Sequence, residues 1–308
     1  MDREGQTATA GTPLAKQLGR VGLWTSKLDL QPADQLRGIL TELEGLGWGS
    51  LWSWEVFGRE ALTNAGLLLS TSQRLVVGTG IANIWARDPV AMAAAQRTLA
   101  EAYPGRFVLG LGVSHAPIVD ARGHRYERPL ERMRTYLDAM DAAPWQGPPL
   151  KQEPVRVLAA LGPRMLELAA ERSAGALTYN AAPEATAWAR SILGTGPLLA
   201  VEQAVVVEQD PVTARMLARE LLAFYLTLPN YVRAWERAGF EPEDLADGGS
   251  DRLVDAVVAW GSPDAIAERV SAHLEAGADH VCLQVLDSDP SVLPMAACRA
   301  LAPVLLAR

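Results

Sequence analysis

Two polar residues that could support chemistry follow short apolar runs of the kind that form buried strands. Glu55 comes directly after the run 50–54, and His115 lies shortly after the run 107–111. A partly buried carboxylate at a strand end could hydrogen-bond a ring or transfer a proton, and an imidazole could act as an acid or hold a cofactor. Two simpler interpretations stay open, in which Glu55 is a rim residue paired with Arg59 and His115 is a solvated loop residue.

The segment Leu161-Gly162-Pro163-Arg164 is the best candidate for an anion site. It joins an apolar run to a helical pattern, and the N-terminus of a helix offers unbonded N–H groups and a partial positive charge. The guanidinium of Arg164 adds a fork of donors that suits phosphate. The alternative is an ordinary tight turn with proline at the first helical position.

Familiar catalytic and metal-binding motifs are absent from the sequence. It contains no Gly-x-Ser-x-Gly, no Gly-x-x-x-x-Gly-Lys and no His-Glu-x-x-His. Its 4 histidines are scattered and form no ligand set, so we expect no metal. The only cysteines, Cys282 and Cys298, do not make a disulfide framework, and a reducing cytoplasm is the compartment that fits best.

Composition and charge narrow the class of protein. The chain has 308 residues, 49% of them hydrophobic, which is enough for a sizeable core. A net charge of −8 argues against nucleic acid and against an anionic membrane as partner, and no apolar run is long enough for a membrane span. Residues 1–18 are polar and are predicted to be a flexible tail, followed by a single domain over residues 19–308.

The order of elements predicts an α/β fold, a closed (β/α)₈ TIM barrel. Apolar runs alternate with helical patterns, and most runs are continuously apolar, as in a parallel sheet covered on both faces. The predicted strands are 21–25, 50–54, 75–79, 107–111, 155–159, 176–179, 200–207 and 281–285. An open doubly wound sheet is the alternative, but its expected Gly-x-Gly-x-x-Gly after the first strand is missing. Insertions follow strands four and seven, on the face where barrel enzymes build their sites.

The third predicted strand is interrupted where it leads into a helix. It runs into Gly78-Thr79-Gly80-Ile81-Ala82-Asn83, after which Asp88 and Pro89 suit a helix cap and the first helical position. Glycines weaken a strand because they add no packing, so this strand end needs an explanation other than stability. Trp24 and Trp54 also fall near strand ends. Flat aromatic side chains there suit a flat cofactor, although most tryptophans are simply core residues.

Four segments that run in order through the chain resemble a known family. They are Gly78-Thr79-Gly80-Ile81 with Asp88-Pro89, residues 104–112 (PGRFVLGLG), residues 160–169 (ALGPRMLELA) and residues 260–269 (WGSPDAIAER). In combination they resemble the bacterial luciferase-like superfamily, and most closely its actinobacterial branch that uses the deazaflavin coenzyme F-420 in place of FMN. The resemblance extends over residues 20–286.

The resemblance implies a cofactor site at the carboxyl ends of the strands. By position, a non-prolyl cis peptide at Gly80–Ile81 would form a bulge that presses on one face of the deazaflavin ring. The residues from Gly162 to Met165 match the loop that receives the phosphate. Together with Trp24, the residues expected to bind the cofactor are Glu55, Gly80, Ile81, Ala82, Asn83, Ser114, His115, Leu161, Gly162, Pro163, Arg164 and Met165.

The chain departs from the sugar-phosphate dehydrogenases of this family. It has Glu55-Val56 where they place an Asp-His pair, and His115 where they have a glutamate, so sugar-phosphate oxidation is not expected. The resemblance instead favours hydride transfer at C5 of the deazaflavin and reduction of an activated C=C, C=O or C=N bond. Glu55 and His115 are the candidate catalytic residues, with solvent as another possible proton source.

Two other functions stay open at this point. One is an FMN-dependent monooxygenase, which would share the fold and the phosphate site. The other is a non-catalytic barrel that binds a flavin or nothing, since a fold does not imply an activity. The aromatic rim favours a small hydrophobic or heteroaromatic substrate, and the family implies a homodimer.

Overall fold

The computed structural model describes residues 13–306, and a closed barrel of eight parallel strands forms its centre. The strands are β1 (Val21–Trp24), β2 (Ser50–Ser53), β3 (Val76–Thr79), β4 (Phe107–Gly112), β5 (Val155–Ala159), β6 (Gly175–Thr178), β7 (Leu198–Val206) and β8 (His280–Val285). Strand β8 closes the barrel, because it pairs with β1 through Val21 and Val281 and with β7 over six residues. The predicted TIM barrel is confirmed.

Helices cover the outside of the barrel. They are α1 (Pro13–Leu18), α2 (Ala33–Gly45), α3 (Ala61–Thr71), α4 (Pro89–Ala102), α5 (Ala116–Ala121), α6 (Pro129–Asp141), α7 (Pro163–Arg172), α8 (Pro183–Leu193), α9 (Pro211–Tyr225), α10 (Pro229–Arg237), α11 (Pro242–Leu245), α12 (Asp251–Val257), α13 (Pro263–Glu275) and α14 (Met295–Leu305). Helix α4 begins as predicted, with the Asp88 carboxylate accepting from the N–H of Ala91 at 2.9 Å. None of the helices described over 13–306 is both long and apolar enough to cross a membrane.

The inside of the barrel is a packed core that residues near the N-terminus help to close. Leu14 and Leu18 of α1 are 7% and 1% exposed and belong to the same buried cluster as Trp52, Val76 and Leu198. The prediction of a flexible tail over 1–18 is therefore wrong for residues 13–18. The two leucines lie four positions apart and bury one face of a helical turn against the barrel. Residues 1–12 lie outside the described part of the chain.

Two connections at the carboxyl ends of the strands are long. Helices α5 and α6 lie between β4 and β5, and helices α9 to α13 lie between β7 and β8. Helices α9, α10 and α12 form a second hydrophobic cluster with the end of β7, in which Leu222, Tyr231, Trp235 and Leu253 are buried. The second long connection therefore folds back as a packed layer over one side of the barrel.

Candidate functional site

The end of β3 is shaped by a tight approach between Gly80 and Trp24. The peptide bond between Gly80 and Ile81 is cis, which confirms the prediction for this position. The indole N–H of Trp24 donates to the carbonyl oxygen of Gly80 at 3.0 Å. A Cβ atom at Gly80 would lie 2.5 Å from the same indole nitrogen, so no larger side chain fits without displacing Trp24. The next residues, Ala82 and Asn83, pair with β4 instead of continuing β3.

The carboxylate of Glu55 binds the backbone of this bulge. Its carboxylate accepts from the backbone N–H of Asn83 at 2.8 Å and of Ala61 at 3.2 Å, and it forms an ion pair with Arg87. The Glu55 side chain is only 3% exposed. Pairing of Glu55 with Arg59 is not observed; the Arg59 guanidinium donates to the carbonyl oxygen of Gln31 instead. Three donors occupy the carboxylate, which favours a positioning role for Glu55 over proton transfer.

Asn83 offers an unused donor next to the bulge. The residue is fully buried, and its side-chain oxygen accepts from the N–H of Trp85 at 2.9 Å. Its side-chain nitrogen is buried and has no hydrogen-bond partner among the described residues. Buried polar atoms are almost always paired, so this nitrogen is a candidate donor to a bound ligand.

Aromatic side chains line the barrel mouth beside Trp24. The rings of Trp54 and Tyr179 lie 5.8 Å and 5.3 Å from the ring of Trp24. The hydroxyl of Tyr179 donates to Gln284 at 2.5 Å and receives a hydrogen bond from Tyr225 at 3.1 Å. Helix α9 supplies Tyr225, so part of this lining comes from the long connection after β7. Such walls suit a planar, mostly apolar ligand that is oriented by a few polar groups.

Ser114 and His115 lie at the end of β4, as expected, and His115 packs against the aromatic lining. Ser114 has a left-handed backbone with φ of 58°, and His115 is the N-cap residue of α5. The imidazole lies 5.6 Å from the ring of Tyr231, and its Nδ1 is buried and has no hydrogen-bond partner within residues 13–306. Burial lowers the pKa of His115 to about 4, so the ring is neutral near pH 7. A neutral imidazole is a poor acid, which weighs against His115 as the proton donor.

The predicted anion loop follows β5 and opens towards solvent. Gly162 is the N-cap of α7, and no side chain of the described residues caps the helix. A Cβ atom at Gly162 would meet no other atom within 4 Å, and Pro163 and Arg164 are exposed. Leu161 and Met165 flank the turn and are half-buried. The uncapped helix N-terminus and the free space at Gly162 fit an acidic group.

Glu202 is a candidate that sequence reasoning missed. It lies in β7 and is fully buried; one carboxylate oxygen accepts from the N–H of Asn180 at 3.1 Å, and the other has no partner in the described structure. Burial raises the pKa of Glu202 to about 8 against the opposing effect of the Asn180 hydrogen bond. Burial also raises the pKa values of Tyr179 and Tyr225, and both side chains lie close enough to Glu202 for a charge there to raise them further. The sequence does mark this position, since Glu202 is the only charged residue between Leu198 and Val206, and a charge within an apolar strand often serves a function.

A second polar cluster lies where β1 and β2 end. Asp29 accepts from the side-chain amide of Asn64 at 2.8 Å and from the Ser53 hydroxyl at 3.4 Å. Burial raises the pKa of Asp29 to about 6, although those hydrogen bonds and the nearby charge of Arg59 oppose it. No part of the sequence reasoning singled out Asp29, because its partners are 24 and 35 residues away along the chain.

Comparison with known proteins agrees with this architecture. The family model described as luciferase-like monooxygenase matches residues 13–280. A Mycobacterium tuberculosis protein, provisionally named a coenzyme F-420-dependent oxidoreductase, is 35% identical over 130 residues, which is 42% of this chain and 35% of that protein. The match thus spans about a third of that relative. A 5,10-methylenetetrahydromethanopterin reductase of Methanolobus tindarius is 24% identical over 282 residues, 77% of this chain and 86% of the reductase.

Solved structures share the fold at low sequence identity. An F-420-dependent secondary alcohol dehydrogenase in complex with an F-420–acetone adduct has a TM-score of 0.73 at 15% identity, over 93% of this chain and 98% of that one. A Pseudomonas putida Baeyer–Villiger monooxygenase component in complex with FMN has a TM-score of 0.68 at 16% identity, over 93% and 96% of the two chains. At this identity the likeness concerns the fold alone. The family model, by contrast, covers most of the sequence, and the chain belongs to the luciferase-like monooxygenase family.

Proposed function

We propose that the protein is a coenzyme F-420-dependent oxidoreductase that transfers a hydride between C5 of the deazaflavin and a small apolar or heteroaromatic molecule. One observation carries the proposal. The bulge at Gly80–Asn83, with Trp24 packed behind it, and the open N-terminus of α7 both lie at carboxyl ends of barrel strands. A planar ring would need the first and its acidic tail the second. The names of the Mycobacterium tuberculosis and Methanolobus tindarius relatives support the deazaflavin over FMN.

The residues at the barrel mouth fit such a cofactor. Trp24 and the backbone of Gly80 would form a wall behind the ring, and the unpaired side-chain nitrogen of Asn83 would donate to an oxygen at its edge. The half-buried Ile81 would extend that wall, whereas the fully buried Ala82 packs in the hydrophobic core. Gly162 and Arg164 would hold the phosphate. When bound, the deazaflavin supplies the hydride-carrying carbon, and the protein supplies placement and protons.

Glu55 would act on the ring indirectly, through the backbone that faces it. Its carboxylate is bonded to the N–H groups of Asn83 and Ala61 and to Arg87, so it fixes the backbone that faces the ring. This arrangement makes Glu55 a positioning residue. His115 would contribute a neutral ring to the lining of the mouth.

Reduction of a double bond also requires a proton, and Glu202 is the group best suited to give it. Near pH 7 its carboxyl keeps its proton, and one of its oxygens has no partner in the described structure. Its side chain lies close to Tyr179 and Tyr225, which line the mouth. The assignment of Glu202 replaces the expectation that Glu55 or His115 delivers the proton.

Anaerobic oxidation of reduced F-420 by a panel of enones, aldehydes and quinones tests the function. We expect enzyme-dependent oxidation by at least one of these classes. Glu202→Gln should lower kcat at least tenfold with little change in the Kd of F-420, because the amide cannot give up a proton. Oxygen-dependent product formation with reduced FMN, and no reaction with reduced F-420, would establish the monooxygenase alternative and overturn the proposal.

A further inference from the structure

A cavity of about 230 Å³ lies at the carboxyl ends of β5 and β6, between α7, α8 and α10, and Leu161 and Tyr179 are among the residues that line it. Its apolar walls come from Leu166 of α7, Trp188 of α8 and Trp235 of α10, closed by Phe240. Thr178 lines the cavity from β6. Because side chains alternate along a strand and Leu177 points into the barrel core, Thr178 points outwards.

Three buried side-chain polar atoms without hydrogen-bond partners among the described residues belong to residues that line this cavity. The hydroxyl of Thr178 and both side-chain atoms of Asn180 are buried and have no hydrogen-bond partner among the described residues. The two residues are only 4% and 3% exposed. Leaving a buried polar group unpaired costs about 1–3 kcal/mol, so three such atoms on two residues that line one cavity favour a ligand that satisfies them.

The backbone of Asn180 is fixed, so its side chain is held in place. Its N–H donates to Glu202 at 3.1 Å, and its carbonyl oxygen accepts from the indole of Trp235 at 3.1 Å. Its backbone is left-handed, with φ of 52°, a conformation that asparagine tolerates better than most residues. The amide is therefore presented in one orientation before any ligand arrives, which lowers the entropy lost on binding.

The lining indicates the chemistry of the ligand. A carboxamide side chain offers one acceptor and one donor group side by side, and its complement is another amide or a lactam edge. The indole of Trp188 and the guanidinium of Arg237, stacked 4.4 Å above it, form a flat side of the cavity. Arg237 also donates to the carbonyl oxygen of Leu161 at 2.7 Å, which keeps it in position. We propose that this cavity is a second small-molecule site that binds a planar aromatic amide or lactam through Asn180 and Thr178.

Titration of the full-length protein with benzamide, without any cofactor, tests the proposal. Tryptophan fluorescence and calorimetry should report one saturable site with a Kd of about 1 mM, as expected for a ligand with few heavy atoms. Asn180→Asp should weaken binding at least tenfold, because it exchanges the amide donor for an acceptor while keeping shape and backbone preference. Thr178→Val should weaken it about fivefold through loss of one hydrogen bond.

Matched controls separate loss of the site from loss of the fold. Ala185 lines the cavity and Ala187 is exposed on the same helix, so Ala185→Phe should abolish benzamide binding and Ala187→Phe should leave it unchanged. If Asn180→Asp unfolds, Asn180→Gly replaces it, since glycine adopts the same φ.

Three outcomes would overturn the assignment: no saturable binding, at least tenfold tighter binding of benzoate than of benzamide, or competitive displacement of benzamide by F-420. The third would make the cavity part of the cofactor site. If F-420 does not bind at all, benzamide binding still tests the second site. The proposed function and the proposed amide site can therefore be rejected independently of each other.

Discussion

Exchanging Glu202 for glutamine should stabilise the fold above pH 5 and remove a specific part of its pH dependence. The folded protein holds the pKa of Glu202 at about 8, compared with an ordinary value of 4.5. At a pH between these two pKa values, the unfolded chain has released the Glu202 proton and the folded chain has kept it. The folded state then binds more protons than the unfolded state, so stability falls as pH rises through this window.

The size of the effect follows from the width of that window. Each pH unit between the two pKa values costs about 1.4 kcal/mol, and the slope is smaller close to either pKa, so from pH 5 to pH 8 the wild type should lose about 3–4 kcal/mol that Glu202→Gln does not lose. Above pH 8 the carboxyl is ionised in both states and the difference levels off. Glutamine keeps the shape of the side chain and an oxygen that can accept from the Asn180 N–H.

Urea unfolding at half-unit intervals from pH 5 to pH 9 measures this difference, and other titrating groups cancel in the comparison. Glu44→Gln is the control. Burial acts to raise the pKa of Glu44, but hydrogen bonds from three backbone N–H groups outweigh it and hold the pKa below its usual value. Its substitution should lower stability by a constant amount over this range. If the stability difference between wild type and Glu202→Gln stays constant from pH 5 to pH 8, Glu202 does not keep its proton in the folded protein, because a carboxyl ionised in both states contributes no pH dependence.

Three further predictions concern the cofactor site and its support. Gly80→Val should abolish F-420 binding in a fluorescence titration, since even a Cβ atom would lie 2.5 Å from the Trp24 indole nitrogen. Unchanged affinity would show that Trp24 and Gly80 do not form a wall behind the ring. Arg164→Ala should raise the Kd of F-420 about tenfold through loss of a charge-assisted contact, with circular dichroism unchanged, and an equal Kd would remove Arg164 from the site. Arg87→Ala should cost about 3 kcal/mol in urea unfolding because it leaves the buried Glu55 carboxylate without its counter-ion, whereas Arg128→Ala, which breaks an exposed pair, should cost less than about 1 kcal/mol.

The sequence was sufficient for the barrel because its signals are local. Continuous apolar runs mark strands covered on both faces, and a capping residue such as Asp88 marks a helix start that the structure reproduces. The paired glycines at the end of β3 likewise identified a position where the backbone departs from an ordinary strand.

The partners of the site residues could not be predicted in this way. Glu55 meets Arg87 across 32 residues, and Tyr179 meets Gln284 across 105, and no spacing rule encodes such pairs. Whether His115 is solvated depends on Tyr231, which belongs to the long connection after β7. Burial, and with it each pKa, is set by that tertiary packing and not by the neighbouring residues in the sequence.

Parallel equilibrium titrations of the purified protein with F-420 and with FMN show which of the two cofactors the barrel mouth binds. Ligand fluorescence and tryptophan quenching follow each titration, with Arg164→Ala as a comparison protein. We expect saturable micromolar binding of F-420, at least tenfold weaker binding of FMN, and an F-420 Kd about tenfold higher in the variant. Micromolar binding of FMN with no detectable binding of F-420 would contradict it.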